Sequence, residues 1–115
     1  MKKLAPLFCL LLLHVAMAVA QSPQSMNYQA IVRNSSGQPV ANNTPVKLRI
    51  SIHDITATAT VVYNEIITTA ANQFGLVNVQ IGALGNLATV SWGNGAKFMQ
   101  VEADINNTGT YTDMG

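Results

Sequence analysis

Residues 46–53 alternate without a break. Val46, Leu48, Ile50 and Ile52 fall on one side, and Lys47, Arg49, Ser51 and His53 on the other. Residues 96–105 do the same, with Met99, Val101, Ala103 and Ile105 set against Gln100, Glu102 and Asp104. A side-chain period of two belongs to a strand with one face in a core and the other in water. Residues 26–33 repeat the pattern through Met26, Tyr28, Ala30 and Val32, and residues 76–81 through Val77, Val79 and Ile81. Residues 61–69 are rich in β-branched side chains and read as a further strand whose faces the pattern does not assign. Turn signals separate these runs: Asn34-Ser35-Ser36-Gly37-Gln38-Pro39, Gly93-Asn94-Gly95 and Asn106-Asn107-Thr108-Gly109. Residues 54–60 form a polar link, and a short helical turn is expected at 84–87. Trp92 is placed to close one end of the core. Short strands, frequent turns and no crossover helix predict an all-β antiparallel sandwich, immunoglobulin-like or transthyretin-like.

The first twenty of the 115 residues stand apart. Met1-Lys2-Lys3 is a basic start, residues 4–19 are apolar and lack acids, and Ala18-Val19-Ala20 has the form of a signal-peptidase site. The expectation is a signal peptide over 1–20, cleaved between Ala20 and Gln21, and one β-sandwich domain over 21–115. The apolar run is shorter than the ~20 residues of a membrane span, so no stable span is expected after cleavage. Cys9 lies inside the run, not after it, which argues against lipidation, and it leaves with His14. The remainder has no cysteine, so it must fold by core burial or with help from a partner. Its charges are Arg33, Lys47, Arg49 and Lys97 against Asp54, Glu65, Glu102, Asp104 and Asp113. That balance lacks the clustered basic face that nucleic acid requires.

Candidates for chemistry are few. His53 is the one histidine after the leader, and no G-x-S-x-G accompanies it. By alternation it belongs on the solvent side of its strand. Glu65, Glu102 and Asp104 are the carboxylates that could pair for glycoside hydrolysis. Glu102 and Asp104 share one strand face, and most aromatics that could stack a sugar have core positions. Asp104, Asn106 and Thr108, followed by Gly109, resemble the start of a calcium loop, but its closing acidic position falls on Gly115. No catalytic residue, cofactor or metal is therefore expected, and this turn is a weak candidate at most.

Three blocks together resemble a known family: 25–52 with its N-Y-Q-A-x-x-R start, 72–82 with its F-G-L turn, and 92–105 with its W-G-x-G turn, followed by Tyr111 and Met114-Gly115. They are similar to a secreted β-sandwich module of Bacteroidetes-type bacteria. That module follows the signal peptide of long surface proteins, beside collagen-like, tail-fibre-like or secretion-sorting segments. The resemblance covers most of 21–115 and carries no catalytic residue. It implies a non-enzymatic, exported structural or assembly module of a cell-surface or secreted protein, in an adhesin- or fibre-like setting. The alternative is a glycan- or protein-binding β-sandwich. The family pattern runs on beyond Met114-Gly115 into an apolar strand. The resemblance therefore implies a sandwich lacking its last strand, with an open edge that a downstream segment or a protein partner would fill.

Overall fold

The computed structural model describes residues 24–114. The expected leader, with Cys9, His14 and the cleavage residues Ala18, Ala20 and Gln21, lies outside the described residues. Six strands follow in order: β1 (Met26–Ile31), β2 (Pro45–Asp54), β3 (Val61–Ala70), β4 (Leu76–Ile81), β5 (Lys97–Ile105) and β6 (Thr112–Asp113). They form two antiparallel sheets, β1-β4 and β3-β2-β5-β6. The molecule is an all-β sandwich, as the alternation predicts.

The strongest pattern supplies the centre. β2 pairs on both sides, with β3 and β5, and its Val46, Leu48, Ile50 and Ile52 are at most 1% exposed. Burying each contributes about 1.5–3 kcal/mol. Val77, Val79 and Ile81 of β4 meet them from the other sheet, joined by Val32, Leu87, Val101 and Ala103. Trp92 packs against this core and donates its indole N–H to the Leu87 carbonyl at 3.0 Å.

Two turns are built alike. The side-chain oxygens of Asn34 and Asn72 each accept the backbone N–H groups two and four residues on, at 2.8–3.0 Å. A glycine follows three residues after each asparagine, with φ of +80° at Gly37 and +76° at Gly75. The second turn is also crowded: a Cβ on Gly75 would lie 2.8 Å from the Pro39 Cβ and 3.2 Å from the Val32 carbonyl oxygen.

Several expectations need correction. His53 is not on a solvated face: residues 55–60 fold back so that the Ala59 carbonyl meets its ring, leaving it 9% exposed. Asp104 was expected outside and is 1% exposed, because the turn after β5 closes over it. Met99 has the inward parity but stays 46% exposed near the start of β5. Phe74 and Phe98 are 65% and 42% exposed, not core residues. The helical turn forms at Leu87–Thr89 as a 3₁₀ turn, where Asn86 O accepts from both Thr89 N and Thr89 Oγ1. β3 turns Tyr63, Glu65 and Ile67 inward, an assignment its composition had left open.

Candidate functional site

The outer face of the four-stranded sheet carries several adjacent polar groups of side chains. Register sets Arg49 opposite Glu102, Ser51 opposite Gln100, and Glu102 opposite Asp113. Arg49 grips Glu102 with both arms: Nε donates to Oε1 at 3.0 Å and Nη2 to Oε2 at 2.8 Å. Its guanidinium also lies 4.2 Å above the Tyr111 ring centroid. The Arg49 hydrogen bond holds the Glu102 carboxyl below its usual range, against the opposing effect of partial burial.

One end of this face is a relay. His53 Nδ1 is 2.7 Å from Ala59 O, and His53 Nε2 is 2.9 Å from Gln100 Oε1. The Gln100 amide then donates through Nε2 to Asp113 Oδ2 at 3.0 Å. The bond to the Ala59 carbonyl, followed by that to Gln100, raises the His53 pKa above its ordinary value. An open groove of about 320 Å³ runs alongside, lined by His53, Ala57, Thr58, Phe98, Met99, Gln100 and Asp113.

The neck of the 55–60 loop is strained. Ile55 has φ +70°, and Thr56 N donates to Asp54 O at 2.7 Å, closing a γ-turn. A β-branched residue at positive φ is a steric outlier that its surroundings must enforce. Here Ile55 N is held by Ala96 O at 2.8 Å. Beside it the Lys97 side chain, 7% exposed, donates to the Asn94 and Gly95 carbonyls. Its ammonium also lies 2.8 Å from Asp54 Oδ1. That buried oxygen takes no well-aligned hydrogen bond, so charge, not a directed bond, holds it.

Glu65 is a second polar centre, inside the sandwich. Its Oε2 accepts Tyr63 Oη at 2.8 Å and Gly82 N at 2.7 Å, and its Oε1 accepts Leu84 N at 3.1 Å. The carboxyl group therefore ties β3 to the loop after β4. Burial, reinforced by Glu65, pushes the Tyr63 phenol up to about 12. Gly85 is required beside it, since a Cβ there would run into Tyr63 Oη.

The three carboxylates singled out in the sequence are thus not assembled into one site. Glu65 points into the core, while Glu102 and Asp104 lie on the outer sheet face. Asp104 accepts Thr108 N, Thr108 Oγ1 and Gly109 N, each at 2.8 Å. Burial opposes its charge, but these donors hold its carboxyl below the usual range. Both Asp104 oxygens therefore face N–H or O–H donors, and Asn106 serves the turn through its φ of +65°. Among the described residues, no three His, Cys, Asp or Glu side chains cluster as a metal site. The sequence reading missed the His53–Gln100–Asp113 relay, which joins three strands whose register no local pattern reveals. It also missed the inward Glu65, although Tyr63, Glu65 and Ile67 share one parity.

The outer edge of β5 is half covered. β6 pairs at Ala103 and Glu102, and Met114 N reaches Val101 O at 2.9 Å. Among the described residues, 97–100 have no strand partner on that side. Since Val101 points its carbonyl outward, so do Met99 and Lys97, two and four residues away.

No curated protein and no solved structure matches this chain. Residues 27–114 match a family described as Domain of unknown function (DUF8740), and the chain belongs to that family.

Proposed function

We propose that this is a non-enzymatic structural or assembly module of an exported or cell-surface protein, in an adhesin- or fibre-like setting. The observation that carries the reading is the half-covered edge of β5. There the main-chain groups of Lys97 and Met99 face outward beside the exposed Phe98 and Met99 side chains. A strand supplied by a downstream segment or a protein partner would extend the sheet at that edge, with backbone hydrogen bonds giving affinity and side chains giving register. The resemblance of 25–52, 72–82 and 92–105 to surface-protein modules points the same way. The alternative, a glycan- or protein-binding sandwich, has less support, because the groove offers one aromatic ring, Phe98. The other exposed ring, Phe74, sits on the turn between β3 and β4.

Met99→Pro tests the reading. It removes an outward N–H without cutting the ladder to β2. The chain, produced with its own N-terminus in an exporting host, should run in a species larger than a monomer. Met99→Pro should return it to monomer with the far-ultraviolet spectrum unchanged. A wild-type chain that stays monomeric in the exported fraction and binds glycans on an array would overturn the assembly role in favour of the alternative.

A further inference from the structure

The relay at His53 imposes a strict donor count. The Asp113 carboxylate only accepts, so the Gln100 atom 3.0 Å from it is the amide nitrogen. That leaves the Gln100 oxygen facing His53 Nε2 at 2.9 Å. A carbonyl oxygen only accepts, so His53 Nε2 must carry a hydrogen. Ala59 O likewise only accepts, so Nδ1 at 2.7 Å must carry one too. A neutral imidazole has a single N–H. All three bonds coexist only on the imidazolium.

We propose that His53 is a proton-controlled latch joining the strained 55–60 loop to β6 across β5, closed when the imidazole is doubly protonated and released when it loses one proton. This inference is independent of the assembly role. Loss of the Nδ1 proton sets two acceptors against each other at Ala59 and frees the loop side. Loss of the Nε2 proton can be met by rotating the Gln100 amide, but that turns its oxygen onto the Asp113 carboxylate and frees the β6 side. Each side has a few other ties: the loop through Ile55 N to Ala96 O and Asp54 N to Thr60 O, and β6 through its pairing with Glu102 and Ala103 and through Met114 N to Val101 O. The loop carries the Ile55 γ-turn at φ +70°, and β6 is two residues long.

The charges around the ring set the working range. Glu102 from β5 favours the cation, the Asp113 carboxylate from β6 is engaged by the Gln100 amide, and Arg49 on the same strand as His53 is engaged by Glu102. β3 presents Val62 and Asn64 on this face, and the loop, 55–60, has no ionisable side chain. Lys97 and Asp54 pair with each other at the strand ends. The closed state therefore lies on the acid side of the His53 titration, which stands above the ordinary value of 6.5.

The test is nitrogen-15 NMR of the His53 ring with amide hydrogen exchange over Thr56–Thr60 and Met114, followed across the histidine titration. The ring should show two protonated nitrogens on the acid side. Protection of the loop or of Met114, corrected for intrinsic base catalysis, should fall on the order of tenfold above the titration, the equivalent of one pK unit of coupling. Gln100→Met keeps the side-chain length but lets a neutral Nδ1–H ring satisfy Ala59. In that variant the step should vanish while the fold persists. Unchanged protection in the wild type, a single-tautomer ring on the acid side, or a step that survives Gln100→Met would each overturn the latch.

Discussion

Replacing Glu65 tests how the two sheets are fastened. Its carboxyl accepts three donors: Tyr63 Oη, Gly82 N and Leu84 N. In Glu65→Gln the amide oxygen can keep the two donors now on Oε2. The amide NH₂ then faces Leu84 N–H, donor against donor. Stranding this one part-buried N–H costs about 1–3 kcal/mol. Glu65→Ala strands all three donors and opens a void, on the order of 5 kcal/mol, which approaches the ~5–15 kcal/mol stability of a whole domain. Tyr63→Phe removes one donor, leaves both amides satisfied and should cost about 1 kcal/mol. For a domain of this size each kcal/mol moves the melting temperature by about 4–8 °C. Thermal unfolding should therefore rank Tyr63→Phe mildest, Glu65→Gln at least ~4 °C below wild type by that scaling, and Glu65→Ala unfolded or nearly so. If Glu65→Gln melted within a degree or two of wild type, the carboxyl would not be what fastens the loop after β4 to β3.

Other outcomes follow from the same geometry. His53 has a raised folded pKa, so its contribution to stability is complete below 6.5 and is lost as pH rises through the folded value. The melting temperature should fall across that window and the fall should disappear in His53→Phe. Glu102 has a lowered folded pKa, so its contribution is present above its ordinary 4.5 and lost as pH falls through the folded value. Acid unfolding of Glu102→Gln should show a shallower slope there. Gly75→Ala forces a Cβ into positive φ and to within 2.8 Å of Pro39. It should destabilise by at least ~1 kcal/mol, read by chemical denaturation, whereas Gly37→Ala, with open space around its Cβ position, should pay only the backbone strain.

What the sequence reveals and what it hides divide along a physical line. Strand identity in β2, β4 and β5 is written locally, since a period of two needs only neighbours along the chain. The Asn34 and Asn72 turns are equally legible, because asparagine followed three residues later by glycine is a self-contained device. Side-chain parity is legible too: Val101 and Ala103 are buried, while Gln100 and Glu102 bond to partners on the outer face. Burial did not follow parity, because coverage depends on what crosses the sheet. His53 is covered by a loop folded back from its own strand end, and Asp104 by the turn that follows β5. Met99 stays 46% exposed although its cross-strand partner Ile52 is buried. The relay was the least legible feature, for it needs the registers of β2, β5 and β6 at once.

All five acidic side chains of the chain are engaged, and each in a different way. Asp54 sits against Lys97, Glu65 accepts three donors in the core, Glu102 meets Arg49, Asp104 caps a turn, and Asp113 accepts from Gln100. A general acid or base must present a proton or a lone pair to a substrate at a poised position. Carboxyl groups committed to turns, loops and a bidentate arginine do that poorly. In the chain as folded, these polar side chains fix loops and turns. The half-covered edge of β5 then stands out by contrast, as a stretch of strand whose main-chain groups are still unpaired among the described residues. Under the assembly role proposed above, backbone pairing at this edge would draw on main-chain groups alone, and the engaged carboxyl groups would not be needed for it.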